Sequence, residues 1–143
     1  MRATSSKALP LLADAQFNLI YIDGGHTYKD ARLDITECHR LLVLGGIMCG
    51  DDLELQAHQC DMDFLRANKG ADYIAGADGV EFHPGVTLAV HEFFGEVSAF
   101  DGFWAMRKHV SGTYERVDFG NAIGILPGHW PEQFQHQARA HVA

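Results

Sequence analysis

The sequence predicts an α/β fold with a twisted, mostly parallel sheet, and three observations lead to that prediction. Two short apolar segments, residues 17–22 and 47–50, have the length of buried strands. A helical pattern lies between them, and a crossover of about twenty residues is long enough to join parallel strands. The 143 residues are 47% apolar and 21% charged, which suits one globular domain spanning residues 1–143.

The first strand and the helix after it carry the clearest signals. Residues 5–12 are predicted to form a short helix or turn. Residues 17–23 form an apolar run that ends on an acid, and a pair of glycines follows it, which favours a buried strand. Thr27 and Asp30 have the spacing of a helix capping box. The helix is expected to end at Gly45, and its apolar face is predicted to contain Ala31, Ile35, Cys38 and Leu42.

Beyond the second strand the pattern is less regular. Residues 53–84 are rich in charged and small residues, and we interpret this insertion as a lid or a substrate loop. A second helix is predicted from Gly85, with Val86, Val90, Phe93 and Val97 on its apolar face. The remaining predicted elements are strands at residues 103–106, 114–119 and 122–126, and a short helix after Pro131.

Charge and composition exclude several classes of partner. The formal charge of −8 opposes binding to a phosphate backbone, so no nucleic-acid partner is expected. No apolar run approaches the roughly 20 residues that span a bilayer, and Pro10 and Asp14 interrupt the segment where a signal peptide would lie. The three cysteines lack a paired spacing, which is typical of reduced thiols and predicts a cytoplasmic protein.

Acidic residues follow both predicted parallel strands. Asp23 ends the first strand and Asp51 and Asp52 end the second, so all three are expected at one edge of the sheet. Adjacent carboxylates repel one another unless protons or a cation compensate them, and Mg²⁺ prefers oxygen ligands. The alternative is that Asp23 only caps the following turn. We refer to Asp23, Asp51 and Asp52 as the acidic rim.

His26 lies three residues after Asp23 and is expected to face the same edge. An imidazole that titrates near neutrality is suited to act as a general base. The alternative interpretation is a solvent-exposed turn histidine without a chemical role.

These motifs, in this order, resemble the later motifs of class I S-adenosylmethionine-dependent methyltransferases. The similarity extends over residues 3–108 and is greatest to small-molecule O-methyltransferases of the catechol and macrocin type. The segments that carry the resemblance are residues 17–23, 24–28, 30–42, 44–47, 50–52, 84–86, 89–94 and 103–108.

The resemblance implies a Rossmann-like methyltransferase sheet and a set of residue roles. Asp23, Asp51 and Asp52 match the ligands of a divalent cation such as Mg²⁺, and His26 stands where catechol-type enzymes have a lysine base. Ser5, Asp23 and Gly24 match cofactor-binding positions. The implied reaction moves a methyl group from S-adenosylmethionine to a hydroxyl of a small molecule, with the cation lowering the pKa of that hydroxyl.

The sequence departs from the family in one respect. It contains no G-x-G-x-x-G motif, and it starts just before the strand that should be fourth, so the sheet is expected to be truncated on its amino-terminal, cofactor-loop side. A second copy of the chain or a partner supplying the missing half is expected to cover the exposed edge. The alternative functions are a non-catalytic, methyltransferase-like binding or dimerisation module, and a metal-dependent hydrolase.

Overall fold

In the computed structural model, which describes residues 3–76 and 79–119, a five-stranded sheet carries two long helices against one face. The helices are α1 (Ser5–Ala8), α2 (Tyr28–Leu41), α3 (Met62–Asn68) and α4 (Pro84–Phe94). The strands are β1 (Phe17–Ile22), β2 (Leu42–Leu53), β3 (Ile74–Ala75), β4 (Glu81–Phe82), β5 (Ser98–Phe100), β6 (Gly102–Lys108) and β7 (Tyr114–Arg116).

The sheet is mixed, so the α/β class is confirmed but the prediction of a mostly parallel sheet is wrong. The strand order is β1-β2-β6-β5, with β7 also paired to β6. Only the β1–β2 pair is parallel, and the other three pairs are antiparallel. For the β5–β6 and β6–β7 pairs the reason lies in the connections, because a link of one residue, Asp101, and a link of five residues, 109–113, are both too short for a parallel crossover. An apolar strand pattern is the same for parallel and antiparallel pairing, so the sequence did not indicate the direction of these strands.

The parallel unit agrees with prediction, apart from its boundaries. Thr27 is the N-cap of α2 and accepts a hydrogen bond from the amide of Asp30 at 3.3 Å. The helix ends at Leu41, so Leu42, expected on the helix face, is instead the first residue of β2 and pairs with Phe17. Gly45 therefore lies within β2, where its positive φ of 80° accompanies a shift in strand register.

The later elements are partly as predicted. Helix α4 ends at Phe94 because Gly95 adopts a φ of 76°, so Val97 lies beyond the helix, although it is fully buried. Strands β6 and β7 confirm two predicted strands, and β5 was not predicted. The short helical start is also confirmed, as α1 and a 3₁₀ turn at Leu9–Leu11. The predicted strand at residues 122–126 and the helix after Pro131 lie outside the described residues.

The main core lies between the sheet and helices α2 and α4. Trp104 of β6 is 1% exposed and packs over Gly50 of β2, where a Cβ would stand 2.8 Å from the indole ring and 2.7 Å from the carbonyl oxygen of Ile22. Glycine is thus needed at this position, directly before the acidic end of β2. The buried residues of this core are Ala31, Ile35, Cys38, Leu42, Met48, Leu53, Val86, Ala89, Val90, Val97, Trp104 and Met106.

The insertion at residues 53–84 has a small core of its own. It contains α3 and the β3–β4 hairpin, and its buried residues Ala57, Leu65 and Phe82 pack with Leu88 of α4. This packing anchors the insertion to the main body, and its role as a lid stays a prediction. None of the helices in the described part of the chain combines the length and apolar character needed to cross a membrane.

Gly85, in the first turn of α4, sets the distance between the two long helices. A Cβ at this position would lie 2.4 Å from both the carbonyl oxygen of His26 and the amide nitrogen of Tyr28. Because these are backbone atoms, no side-chain rotation could relieve the overlap. The turn that contains His26 therefore lies directly against the start of α4, beside His83.

We predict that Gly85→Ala lowers the free energy of unfolding by about 3 kcal/mol, the upper end of typical overpacking costs, because the new methyl group meets backbone. Urea unfolding followed by circular dichroism measures the effect. Gly70→Ala is the matched control, since a Cβ there has no atom within 4 Å. Equal stability of the two variants would contradict the close approach at Gly85.

Candidate functional site

The acidic rim forms where β1 and β2 end together. Ile22 pairs with Gly50 in the parallel register, so Asp23 and Asp51 follow at the same edge of the sheet, as predicted from the strand–helix–strand pattern. The Tyr21 hydroxyl donates a hydrogen bond to Asp51 Oδ2 at 3.1 Å. The pKa of Tyr21 is raised by desolvation, then by this bond, and then by the charges of Asp51, Asp23 and Asp52. The three carboxylates of the acidic rim therefore all lie close enough to Tyr21 to affect its hydroxyl.

Asp52 leaves the regular strand geometry. Its φ is 63°, in the left-handed region that aspartate tolerates better than most residues, and the register of β2 against β6 shifts between Gly50 and Leu53. Its amide donates to Asp51 Oδ1 at 3.0 Å. Such local strain is a recurrent feature of functional sites, and here it accompanies a side chain that contacts two histidines.

His26 lies between two carboxylates. Its Nε2 is 3.1 Å from Asp52 Oδ2, and its Nδ1 is 2.8 Å from Asp72 Oδ1. A neutral imidazole can donate a hydrogen bond from only one nitrogen, so one of these contacts requires a further proton or a cation. The His26 side chain is 29% exposed, which leaves it accessible from solvent.

His83, the residue before α4, completes the group. Its ring centroid is 4.5 Å from that of His26, and its Nδ1 is 2.9 Å from Glu54 Oε1 and 3.9 Å from Asp52 Oδ1. The Tyr73 ring lies 4.7 Å from the His83 ring. Within the described part of the chain, His26, Asp52 and His83 are the one group of three potential metal ligands whose ligand atoms all lie within 4.8 Å of one another. We call these three residues the His–Asp cluster.

The charge of Asp52 is incompletely balanced. Burial raises the pKa of this carboxyl, His26 and His83 lower it, and Asp51 and Glu54 raise it further, with a net shift upward. The ionised form of Asp52 is therefore disfavoured relative to a free carboxylate. A proton or a bound cation would relieve that imbalance.

Sequence reasoning found part of this arrangement. It singled out His26 and Asp52, but not His83, Glu54 or Asp72, because no short spacing connects residues that approach only through folding. A usable signal was the His83-Pro-Gly start of α4, since proline favours the first helical turn and a glycine there permits close approach to another segment. Asp23 and Asp51 belong to the rim, and their joint binding of a cation stays a prediction.

The predicted cofactor-binding residues Ser5 and Gly24 meet at Asp34. Ser5 lies near enough to Asp34 to lower the pKa of its carboxyl, and a Cβ on Gly24 would lie 2.5 Å from Asp34 Oδ2. Asp34 is only 6% exposed, and its Oδ1 has no hydrogen-bond partner among the described residues. Burial raises its pKa, the Ser5 side chain lowers it and the nearby Asp30 charge raises it. Contact of Ser5, Asp23 and Gly24 with a cofactor stays a prediction.

A cavity of about 330 Å³ adjoins the acidic rim. Its lining includes three acids, Asp51, Glu54 and Asp101, together with Gln56 and Gln59. Asp51 belongs to the rim and Glu54 contacts His83, so the cavity opens beside both groups. Its acidic, hydrogen-bonding lining suits a polar molecule better than an anionic one.

Comparison with known proteins gives one match. Residues 1–53 match a family model described as a methyltransferase domain. The matched segment contains all six residues predicted for the site, namely Ser5, Asp23, Gly24, His26, Asp51 and Asp52, and it supports a methyltransferase domain in this part of the chain. No curated protein and no solved structure matches the chain.

We predict that Asp34→Asn raises the melting temperature at pH 7. The folded-state pKa of Asp34 is raised, so its carboxylate costs stability above that pKa, and the cost disappears as pH falls through it. The gain should therefore shrink in acid, which thermal unfolding at a series of pH values measures. Asp63→Asn is the control, because that side chain is 96% exposed and should change stability by less than about 0.5 kcal/mol at any pH. A gain independent of pH would contradict the explanation.

Proposed function

We propose that this chain carries the site of an S-adenosylmethionine-dependent methyltransferase that acts on a hydroxyl of a small molecule. The observation that carries the proposal is the position of His26, held between Asp52 and Asp72 at the acidic edge of the parallel strand pair. The methyltransferase-domain match over residues 1–53 includes His26 and Asp52 and supports the class of reaction.

The acidic rim is chemically compatible with the methyl donor. A sulfonium is a cation without phosphate groups, so carboxylates that would repel a nucleotide phosphate favour it. Ser5, Asp23 and Gly24 are the residues that would hold it, by the resemblance described above. When bound, the donor supplies an electrophilic methyl group: a C–O bond forms while the S–C bond breaks, and the hydroxyl proton passes to the protein.

His26 is the proposed acceptor of that proton. Asp72 can accept the Nδ1–H, which leaves the Nε2 lone pair to take the proton from the hydroxyl, and the proton then lies between Nε2 and Asp52 Oδ2, two atoms 3.1 Å apart. Asp72, at Nδ1, has the position of the carboxylate that orients the histidine in carboxylate–histidine pairs, and Asp52 accepts the Nε2–H of the imidazolium. General-base help of this kind contributes about 10²–10⁴-fold to rate.

The acidic rim would hold a hard divalent cation such as Mg²⁺ in the same proposal. Asp23, Asp51 and Asp52 would supply the oxygen ligands that Mg²⁺ prefers, and they would have to draw closer to do so, because among the described residues they are not a group whose ligand atoms all lie within 4.8 Å of one another. Bound there, the cation would orient the acceptor oxygen and lower the pKa of its hydroxyl. The neighbouring cavity beside Asp51 offers space for the remainder of a small acceptor.

A second candidate function is a non-catalytic module that binds a further copy of the chain or a partner. The exposed face of β1 favours it, because Phe17, Leu19 and Tyr21 alternate along this edge strand and are 39%, 61% and 50% exposed. Large apolar side chains on a sheet edge are a common basis for association. Association alone would need no methyl donor.

Donor binding distinguishes the two candidates. We expect isothermal titration of S-adenosylmethionine, with and without Mg²⁺, to give saturable binding in the micromolar range. The proposal attributes that binding to the acidic edge, so Asp23→Asn should weaken it, whereas Asp63→Asn, on the exposed surface of α3, should not. Absence of saturable binding in both conditions would favour the association module.

We predict that His26→Ala lowers methyl transfer to small hydroxylated acceptors about 10²–10⁴-fold and leaves donor affinity unchanged, because it removes the proton acceptor alone. The readout is single-turnover transfer of a labelled methyl group. His58→Ala is the control, since His58 is a half-exposed histidine paired with Glu96. Full activity of the His26 variant would return this residue to the surface-turn interpretation.

A further inference from the structure

The His–Asp cluster is built from three separate segments of the chain. His26 comes from the turn before α2, Asp52 from the end of β2 and His83 from the residue before α4. We propose that these three side chains bind a divalent transition-metal ion such as Zn²⁺. The site differs from the acidic rim, with which it shares only Asp52.

The distances suit a compact tetrahedral ion. Zn²⁺ lies about 2.0–2.2 Å from nitrogen and oxygen ligands, which places neighbouring ligand atoms of a tetrahedral site roughly 3.3 Å apart. His26 Nε2 and Asp52 Oδ2 are already 3.1 Å apart, and all three ligand atoms of the group lie within 4.8 Å of one another. A small approach of His83 would complete three ligands and leave the fourth position open, as in catalytic zinc sites.

Both histidines have carboxylates that can orient them. Asp72 Oδ1 is 2.8 Å from His26 Nδ1, the nitrogen that does not face Asp52. Glu54 Oε1 is 2.9 Å from His83 Nδ1, and the backbone amide of His83 donates to Glu54 Oε2 at 3.2 Å. Metal-bound histidines characteristically donate their other ring N–H to such a partner, and Asp72 has this position beside His26. His83 Nδ1 is also the nitrogen that lies 3.9 Å from Asp52 Oδ1, so Glu54 holds the His83 ring beside Asp52 and gives up its contact with Nδ1 when an ion binds there.

The charge balance also favours a cation. Across the described ranges 3–76 and 79–119, the ion pairs of Asp52, Glu54 and Asp72 are all with the two imidazoles, not with lysine or arginine. When Nδ1 of His26 carries the proton, Nε2 and Asp52 Oδ2 are two acceptors that face each other, and an ion bound between them would interact favourably with both.

The ligand types select the kind of ion. Two imidazoles and one carboxylate suit Zn²⁺ and its neighbours among the divalent transition metals, whereas Mg²⁺ prefers oxygen ligands alone. The side chains of His26, Asp52 and His83 are 29%, 24% and 11% exposed, so an ion can reach them from solvent. The bulge at Asp52 and the contact of Gly85 with the turn at His26 hold the three ligands near one another before an ion binds.

This metal site does not depend on methyl transfer. If the proposed function holds, however, an ion on Nε2 removes the lone pair that would accept the proton, and Zn²⁺ would inhibit the reaction. That consequence alone rests on the proposed function. Direct measurement of metal binding separates the two ideas.

The experiment is calorimetric titration of Zn²⁺ into the untagged, chelator-treated chain at pH 7, repeated with Co²⁺ followed by its visible absorption. We expect one ion per chain and an absorption typical of low coordination number. His83→Ala and Asp52→Asn should each weaken binding by at least about 100-fold, and Asp72→Asn, which removes the partner of His26 Nδ1, by about 10–100-fold. Asparagine tolerates the positive φ of Asp52, so that variant tests the ligand and not the backbone.

The controls separate this cluster from other sites. Asp51→Asn removes a rim carboxylate, and His58→Ala removes one of the nine histidines of the chain away from the cluster, and both should leave Zn²⁺ affinity unchanged. Equal weakening by Asp51→Asn and Asp52→Asn would assign the ion to the rim and overturn the proposal, as would unchanged affinity in a folded His83→Ala variant. If His83→Ala does not fold by circular dichroism, His26→Ala carries the same test.

Titration of S-adenosylmethionine into the same preparation keeps the two conclusions distinct. Zn²⁺ binding that depends on His83, without donor binding, supports the metal site and contradicts the proposed function. Donor binding without stoichiometric Zn²⁺ binding overturns the metal site alone.

Discussion

The backbone contact between Gly85 and the turn at His26 is the constraint on which the rest of the structure depends. At this point the start of α4 lies so close to the backbone at His26 and Tyr28 that there is no space for a methyl group on Gly85. The approach aligns α4 with α2, and their facing side chains, including Ala31 and Val90, fill the core above the sheet. The same contact brings His83 next to His26, so one packing requirement determines both the interior of the protein and the geometry of its candidate site.

A second constraint operates at the end of β2. Gly50 permits Trp104 to pack directly against the strand, and two residues later Asp52 adopts a left-handed backbone conformation. The well-packed indole fixes the strand up to Gly50, and the bulge then redirects the carboxylate toward the histidines. The packing of Trp104 on Gly50 thus lies next to the strained backbone of Asp52. Together they hold the Asp52 side chain in an orientation that a regular strand would not provide.

The parts of this structure that the sequence predicted are those encoded by short-range patterns. Thr27 marked the start of α2, and the acid-tipped strands located the rim, because caps and strand ends depend on neighbouring residues. Strand direction failed because it depends on how β5, β6 and β7 connect, not on their composition. His83 was missed for a related reason: its proximity to His26 arises from the packing of Gly85, and no local pattern reports a contact between distant segments.

Tyr28 belongs to both cores of the protein. Its ring packs against the main core, between the sheet and helices α2 and α4, and against the core of the insertion. Its amide donates to the carbonyl of Lys69 at 2.8 Å, and its hydroxyl donates to Glu92 at 2.5 Å. A residue shared in this way couples two regions that could otherwise open separately. The insertion and the main body should therefore lose their protection against hydrogen exchange together, so that the two hydrophobic clusters of residues 3–76 and 79–119 unfold as a single cooperative unit.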